Sequence, residues 1–448
     1  LTVNKPTKLE AARTAVALSL LFFVVYGGTN WIAAHRSEVG TWYYSWERFI
    51  PFVPLMVVPY MSIDLLFVAA PFICSGREEL KTLARRISFA VLVAGIFFLA
   101  MPLKMGVSRP EVGGWTGAIF HFLHGFDQPY NLFPSLHITF RTILARHYAR
   151  HTRGVARAGS HVWFSLIGFS TLLTYQHHIV DIAGGFVLAG ICFYIFQENR
   201  RPQEFIPNQK IGGYYVGGSL LCLVAVLVAW PWTAILLWPA FSLAVVALGY
   251  FWLGPAIYEK KDGTLSLSTR LVMAPALLGQ YLSLLYYRRH AAAWSEITPR
   301  LWIGARLNQR EVVEAQRAGV TAVLDLTAEF SEPKAFRDLA YCNIPVLDLT
   351  ELSGDQLREA VDFISRQTRS GIVYVHCKVG YSRSAAAVAA YLVESGHAAG
   401  PNDALELLKR SRRGIIFRLE VFTALQKFCG TDCSKSIEAG ETLFAVRG

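Results

Sequence analysis

Charge is what this chain has least of. Asp, Glu, Lys and Arg make up 17% of its 448 residues, hydrophobic types make up 53%, and no charged side chain occurs from Ile211 to Tyr258. That balance excludes an ordinary soluble enzyme of this length and points to membrane-spanning segments. Acidic residues are scarcer than basic ones, 32 against 43, for a net charge of +11. Many of the bases lie between apolar runs, which argues against nucleic acid as a partner and fits a membrane protein with cytoplasmic loops. The seven cysteines, at 74, 192, 222, 342, 377, 429 and 433, form neither a disulfide framework nor a zinc spacing, and Cys429 with Cys433 specifies little alone. No internal repeat is visible, which disfavours a transporter. No cleavable signal is evident, since the first apolar run is long enough to remain as an anchor. The chain opens on Leu1, so either the start is unusual or residues are missing before it.

The apolar runs predict eight spans, near 14–34, 49–73, 87–103, 133–149, 160–178, 182–196, 212–229 and 232–253, the last two separated by Trp230-Pro231-Trp232. Basic residues follow alternate spans: Arg77, Lys81, Arg85 and Arg86; Arg146, Arg150, Arg153 and Arg157; Arg200, Arg201 and Lys210; Lys260 and Lys261. This pattern places the amino terminus and everything after the eighth span in the cytoplasm, in a protein expected in a bacterial inner membrane. The segment 271–287 is uncharged but contains Pro275, Gly279 and Gln280, and is expected to be an interfacial helix rather than a ninth span.

Three polar clusters then fall on the outer face: Lys104 and Arg109 in "LKMGVSRP", Ser135 and His137 in "FPSLH", and His177, His178 and Asp181 in "STLLTYQHHIVD". Polar groups near a bilayer are costly and tend to be functional. Together these permit phosphoryl transfer: cations and a hydroxyl hold a phosphate, His177 attacks phosphorus, Asp181 orients it, and His137 protonates the leaving alkoxide. The motifs resemble the Lys–Arg-Pro, Pro-Ser-x-His and His-x-x-x-Asp motifs of the type-2 phosphatidic acid phosphatase superfamily, over roughly 14–196. The resemblance implies a six-helix membrane core with His177 as nucleophile, Asp181 as its partner and His137 as general acid. Lys104 and Arg109 have four residues between them where the phosphatase branch usually has six, Leu136 replaces a common glycine, and Thr171 stands where that branch has an arginine. "HHIVD" looks more like the sphingolipid headgroup-transferase branch, so hydrolysis and headgroup transfer both stay open. Asp64, within the second span, has no role assigned.

From about Trp294 the pattern becomes α/β. "RLWIG", "TAVLDL", "CNIPVL" and "GIVYV" read as strands; Gln309–Ala318 reads as a helix capped by Asn308, and Gly354–Gln367 as one capped by Ser353 with Gln356 in a capping box. "VYVHCKVGYSRS" then reads as strand, tight loop and helix. Amides around Lys378, Val379, Gly380, Tyr381 and Ser382 can wrap a phosphate dianion at a helix amino terminus, whose field lowers the pKa of Cys377. Arg383 can hold two phosphate oxygens, and the Ser384 hydroxyl can assist the thiolate. With His376 before and Ser384 after, this stretch resembles the cysteine-dependent phosphatases, in their dual-specificity class over about 294–433. The resemblance implies Asp348, in "IPVLDLTE", as general acid. "VYVHCKVGYSRSAAAVAAYL" looks particularly like the phosphatidylglycerophosphate phosphatase group, with Tyr381 where a basic residue is often found. The run Lys409, Arg410, Arg412 and Arg413 fits either an anionic headgroup or a solvated helix end.

The expected architecture is an α-helical polytopic membrane domain, comprising a six-helix core (1–200) and two further spans with an interfacial linker helix (201–290), then an α/β cysteine-phosphatase domain (294–433) and a tail (434–448). The expected function is bifunctional lipid phosphate metabolism, with phospholipids or lipid phosphates as substrates and neither a metal nor a cofactor required. The rival is a membrane-anchored protein phosphatase in signalling. The sequence does not set the oligomeric state.

Overall fold

A computed structural model describes residues 5–126, 130–197, 204–229, 233–289, 291–416 and 418–430. Arg200, Arg201, Trp230-Pro231-Trp232, Cys433 and the tail from 434 lie outside the described residues. The chain divides into two compact units, Leu1–Asn199 and Arg200–Gly448.

The first unit is helical. Lys8–Phe22 runs through a π turn at Phe23–Gly27 into Gly28–Ala34, and Val57–Ala69, Arg77–Ala100, Gly114–Phe126, Leu136–His151, Gly154–Leu173 and Ile179–Ile195 follow. Thr7 and Glu10 form a capping box at the first start, satisfying orphan amides there. Leu18, Phe67, Ile87, Phe98, Leu144, Ile167 and Leu188 pack into a shared core.

Among the described residues five helices are long and apolar enough to cross a membrane: Lys8–Ala34, Pro54–Ile73, Arg77–Ala100, Gln209–Val228 and Leu237–Tyr258. Five of the eight expected spans coincide with these helices, and the other three fall short of that length or apolarity for identifiable reasons. Leu136–His151 carries three arginines and three histidines, Gly154–Leu173 carries Arg157 and His161, and Ile179–Ile195 is apolar but short. The outward faces of the long helices suit hydrocarbon: Leu227 and Val228 are each 81% exposed.

In the second unit the Gln209–Val228 and Leu237–Leu248 helices pack side by side, joined by Ser219 Oγ donating to the Ala240 carbonyl at 2.8 Å. The segment expected to lie at the interface is two helices, Leu267–Val272 and Ala274–Arg288. Trp238 Nε1 donates to the Leu271 carbonyl and the Ala276 amide donates to Ser242 Oγ, so this pair is fastened to the second apolar helix.

A five-stranded sheet follows: β1 (Trp294–Thr298), β2 (Leu301–Gly304), β3 (Val320–Thr327), β4 (Ala340–Val346) and β5 (Ile372–His376), in the order β1-β2-β5-β3-β4. Only β1 is antiparallel to its neighbour; the other pairings are parallel. Helices cover both faces, so β5 reads as a continuous apolar run. Ile303, Leu324, Val373 and Val375 meet helices Gly354–Gln367 and Arg383–Glu394 on one side. Trp302, Val323 and Tyr374 meet Val312 and Phe336 on the other. The expected capping box of Ser353 with Gln356 is present, and the expected cap Asn308 forms one as well, with Glu311. This frame ends β5 at the centre of the sheet, at the point where the following helix begins.

Candidate active site

Cys377 follows directly on β5, and the loop 378–382 turns the chain into the Arg383–Glu394 helix. Gly380 has φ +82°, and a Cβ there would lie 2.5 Å from the Gly304 carbonyl oxygen, so this turn requires glycine. The loop's carbonyls are engaged outside it: Lys378 accepts from the Arg306 amide, Val379 from Arg412 and Tyr381 from the Ile416 amide. The Gly380 amide points the other way, to Cys377 Sγ at 3.3 Å. Ser384 Oγ lies 3.3 Å from the same sulfur. Burial pushes the Cys377 thiol up, but the Arg383 charge, the Ser384 hydroxyl and the Ser384 and Gly380 amides outweigh it. The thiol is therefore held below its ordinary pKa and favours thiolate.

Arg383 is buried and fully occupied at its two terminal nitrogens. Glu329 grips it bidentately at 2.7 and 3.0 Å, the Val346 carbonyl accepts at 2.7 Å, and Asp348 Oδ1 accepts at 3.0 Å. The other Asp348 oxygen accepts from Lys378 Nζ at 2.6 Å. Burial raises the Asp348 pKa, while Arg383 and Lys378 lower it more, so the carboxyl sits below its usual range. A carboxylate thus bridges Lys378 and Arg383, where a phosphate would need one of the same arginine donors. A bound dianion would compete with it for Arg383 and add negative charge beside it, a change that raises a carboxyl's pKa.

His376 plays a supporting part. It is fully buried, stacks on Tyr374 and lies 3.5 Å from Glu332 and 3.8 Å from Asp325. Burial holds it neutral, with a pKa down to about 4. Asp325, Glu332 and His376 have metal-ligand types within reach of one another, but Lys260 Nζ already sits 2.5 Å from Asp325 Oδ2 and supplies a cation there. Lys260, expected as a loop charge marking membrane topology, is therefore a buried ion-pair partner, with a side chain 1% exposed. Of the basic run, Arg412 is also buried and braces the loop through the Val379 and Ala292 carbonyls and the Tyr381 ring, whereas Arg410 and Arg413 are exposed.

Four residues near this site escaped the sequence reading of the chemistry. Glu329 orients Arg383. Gln280, on the Ala274–Arg288 helix, accepts from Lys378 Nζ at 2.9 Å and donates to Tyr215 at 3.0 Å. Tyr250 donates to the Asp348 carbonyl at 2.7 Å, and Asn208 Nδ2 to the Leu349 carbonyl at 2.9 Å. Gln280 offered one signal, a polar amide in an uncharged stretch. The other three offered none without the fold.

The first unit brings part of its expected set together. His137 and His177 line one cavity with Tyr60, Asp64 and Asn131. His177 Nδ1 is 3.6 Å from Asp181 Oδ2, longer than a hydrogen bond, and His137 stacks on Tyr60. Among the described residues His137 Nε2 and His177 Nδ1 are buried without a hydrogen-bond partner. His178 has both ring nitrogens engaged, with Glu47 at 2.9 Å and the Gly106 amide at 3.1 Å. Arg109 donates to the Thr174 and Tyr175 carbonyls, on the turn before His177. Ser135 is buried as the cap of the Leu136–His151 helix, its hydroxyl accepting from the Ile138 amide, and Lys104 is exposed.

Residues 301–428 match the family "Dual specificity phosphatase, catalytic domain". Dual specificity protein phosphatase 2 of Mus musculus is 39% identical over 125 residues, 27% of this chain and 38% of that protein. The protein phosphatase Slingshot homolog of Xenopus laevis is 38% identical over 104 residues, 22% of this chain and 15% of that protein. The chain thus spans well under half the length of these curated relatives. A crystal structure of PTPMT1 in complex with PI(5)P aligns over 31% of this chain and 96% of that one, at 24% identity and a TM-score of 0.29. The carboxy-terminal region is a cysteine-dependent phosphatase domain of the dual-specificity type.

Proposed function

We propose that this protein is a membrane-bound phosphatase that removes phosphate from a phospholipid headgroup or other lipid phosphate through a phospho-cysteine. The observation that carries the reading is that Asp348 and Lys378, beside the nucleophile, are bonded to Tyr250, in the apolar membrane-length segment Leu237–Tyr258, and to Gln280, on the Ala274–Arg288 helix packed against that segment. A phosphate reaching Cys377 is then close to hydrocarbon, which favours a substrate held by the bilayer. The Cys377 thiolate forms an S–P bond as the P–O bond to the leaving group breaks, and Asp348 gives its proton to the departing oxygen. Water then attacks phosphorus, returning a proton to Asp348, and the S–P bond breaks with Ser384 hydrogen-bonding the released thiolate. Arg383 holds the phosphoryl oxygens throughout.

A second site is supported by one observation: His137 and His177 share a cavity, with unpartnered nitrogens and Asp181 near. It fits hydrolysis or headgroup transfer through a phospho-histidine. The basic loops favour an arrangement with the phosphatase domain cytoplasmic.

Full-length protein in nanodiscs, assayed on phosphatidylglycerophosphate and on phosphotyrosine and phosphoserine peptides, tests the proposal. Lipid turnover well above peptide turnover, abolished by Cys377→Ser, is expected. Equal or greater turnover of peptides would favour the signalling phosphatase.

A further inference from the structure

The general acid of this phosphatase does not rest on its own domain alone. Asp348 and Leu349 follow β4, and Leu349 is held at φ +61°, a strained value for a branched side chain. Both carbonyls of this turn are taken by side chains from the apolar helical segment: Tyr250 Oη at 2.7 Å on Asp348 and Asn208 Nδ2 at 2.9 Å on Leu349. The Asp348 side chain is reached from the same segment by one further step, since Gln280 Oε1 holds Lys378 Nζ and Lys378 holds Asp348. Tyr215 closes the set, donated to by Gln280 and stacked on Tyr250 with ring centres 5.5 Å apart. Tyr250, Gln280 and Lys378 are all buried, at 2%, 8% and 7% exposure, so water competes weakly for their bonds, whereas the Asn208 bond is exposed and adds a weaker, second anchor.

We propose that Tyr250 and Asn208 are positioning residues for the general acid, so that the apolar helices set the placement of Asp348 over the leaving group. The inference rests on the phosphatase reading above and adds to it a dependence on the membrane segment. The physical reason lies in what Asp348 must do. It bridges Lys378 and Arg383 in this structure and must release Arg383 to a phosphate while staying within reach of the departing oxygen. A turn free to drift on losing its side-chain bond would carry the acid away. Main-chain anchors at both residues keep the backbone fixed while the carboxyl exchanges partners. The charged and titratable groups around the carboxyl are Lys378 and Arg383, with Glu329 behind Arg383, Tyr250 at the carbonyl and Tyr215 stacked on Tyr250.

The test uses the full chain in nanodiscs with Tyr250→Phe, which removes one hydroxyl, and Asn208→Ser, which keeps a hydroxyl to cap the helix at Ile211 while losing the reach to Leu349. Turnover is measured on p-nitrophenyl phosphate, whose leaving group needs little protonation, and on an alkyl phosphate, whose alkoxide needs a proton. For the double variant, kcat on the alkyl phosphate is expected to fall by about 10²-fold, the order of loss for a misplaced catalytic group. Turnover of p-nitrophenyl phosphate should fall less than about threefold, with KM for both unchanged. Amide hydrogen exchange across 346–350 is expected to quicken in the same variants, a readout independent of catalysis. Equal losses on both substrates, or unchanged exchange and unchanged leaving-group dependence, overturn the inference. A wild-type chain inactive on every phosphomonoester overturns the phosphatase reading instead, and the exchange measurement still decides whether these side chains hold the turn.

Discussion

Single side chains in this protein act as pairs whose value depends on burial. Lys260 and Asp325 are 1% and 0% exposed, and Asp325 also accepts from Tyr341 and from the Thr327 amide and hydroxyl. Burial alone would raise the Asp325 pKa; the Lys260 charge and these bonds bring it down to about 2. Because the folded value lies below the unfolded one near 4, the contribution to stability is complete above pH 4 and is lost as pH falls toward 2. Lys260→Met leaves a buried carboxylate without its cation, and is expected to destabilise the protein by about 3–5 kcal/mol at pH 7. The gap between wild type and variant should narrow below pH 4, where the uncompensated acid is neutral in both folded and unfolded chains. Denaturant titration in detergent, followed by tryptophan fluorescence at pH 7 and at pH 3, checks both parts. A gap that does not depend on pH would assign the loss to packing of the lysine stem.

At the level of elements, the loop after β5 depends on one close approach. A Cβ at residue 380 meets the Gly304 carbonyl at 2.5 Å with φ already positive, so Gly380→Ala must move either the loop or the end of β2. Strain of this kind costs about 1–3 kcal/mol, while the displaced amides of the loop are expected to reduce kcat by about 10²-fold. Activity lost with folding largely retained, seen by melting alongside turnover, is the expected outcome. That glycine, with Cys377, Arg383 and Ser384, could be read from the sequence because a buried strand, a tight loop and a helix start are all local patterns. The capping residues Asn308 and Ser353 were legible for the same reason. β1 was not: "WSEIT" is half-buried except for the exposed Glu296 and pairs at the sheet edge, so neither alternation nor an apolar run marks it. Glu329 was not legible either, since only the parallel pairing of β3 with β5 brings the turn after β3 to Arg383. Three of the expected spans failed as long apolar helices because a charged or short helix can still be packed inside a bundle, which hydropathy does not see.

The whole molecule divides into two units, each with its own core, and a candidate site has been proposed in each. Separate cores imply that damage to one unit need not reach the other, since substitutions with no shared partners tend to act additively. If the first unit carries a phosphoryl-transfer site, His177→Ala should remove a histidine-linked phosphate formed from radiolabelled lipid phosphate, while turnover that depends on Cys377 stays at the wild-type level. Cys377→Ser should do the reverse. His178 is expected to behave differently from its neighbour, because both of its ring nitrogens are already committed to Glu47 and Gly106. His178→Ala should therefore lower the stability of the first unit without removing a label carried by His177. His137, stacked on Tyr60 across the same cavity, should matter most for substrates with a poor alkoxide leaving group, where a proton must be supplied. Rapid quench of the full chain in nanodiscs, followed by mapping of the labelled residue in each variant, reads all of these at once. A label that survives His177→Ala and disappears with His178→Ala would move the nucleophile by one residue. Lipid turnover that vanishes in Cys377→Ser and is untouched in His177→Ala, with no histidine label in any variant, would leave the first unit as the membrane anchor of a single phosphatase.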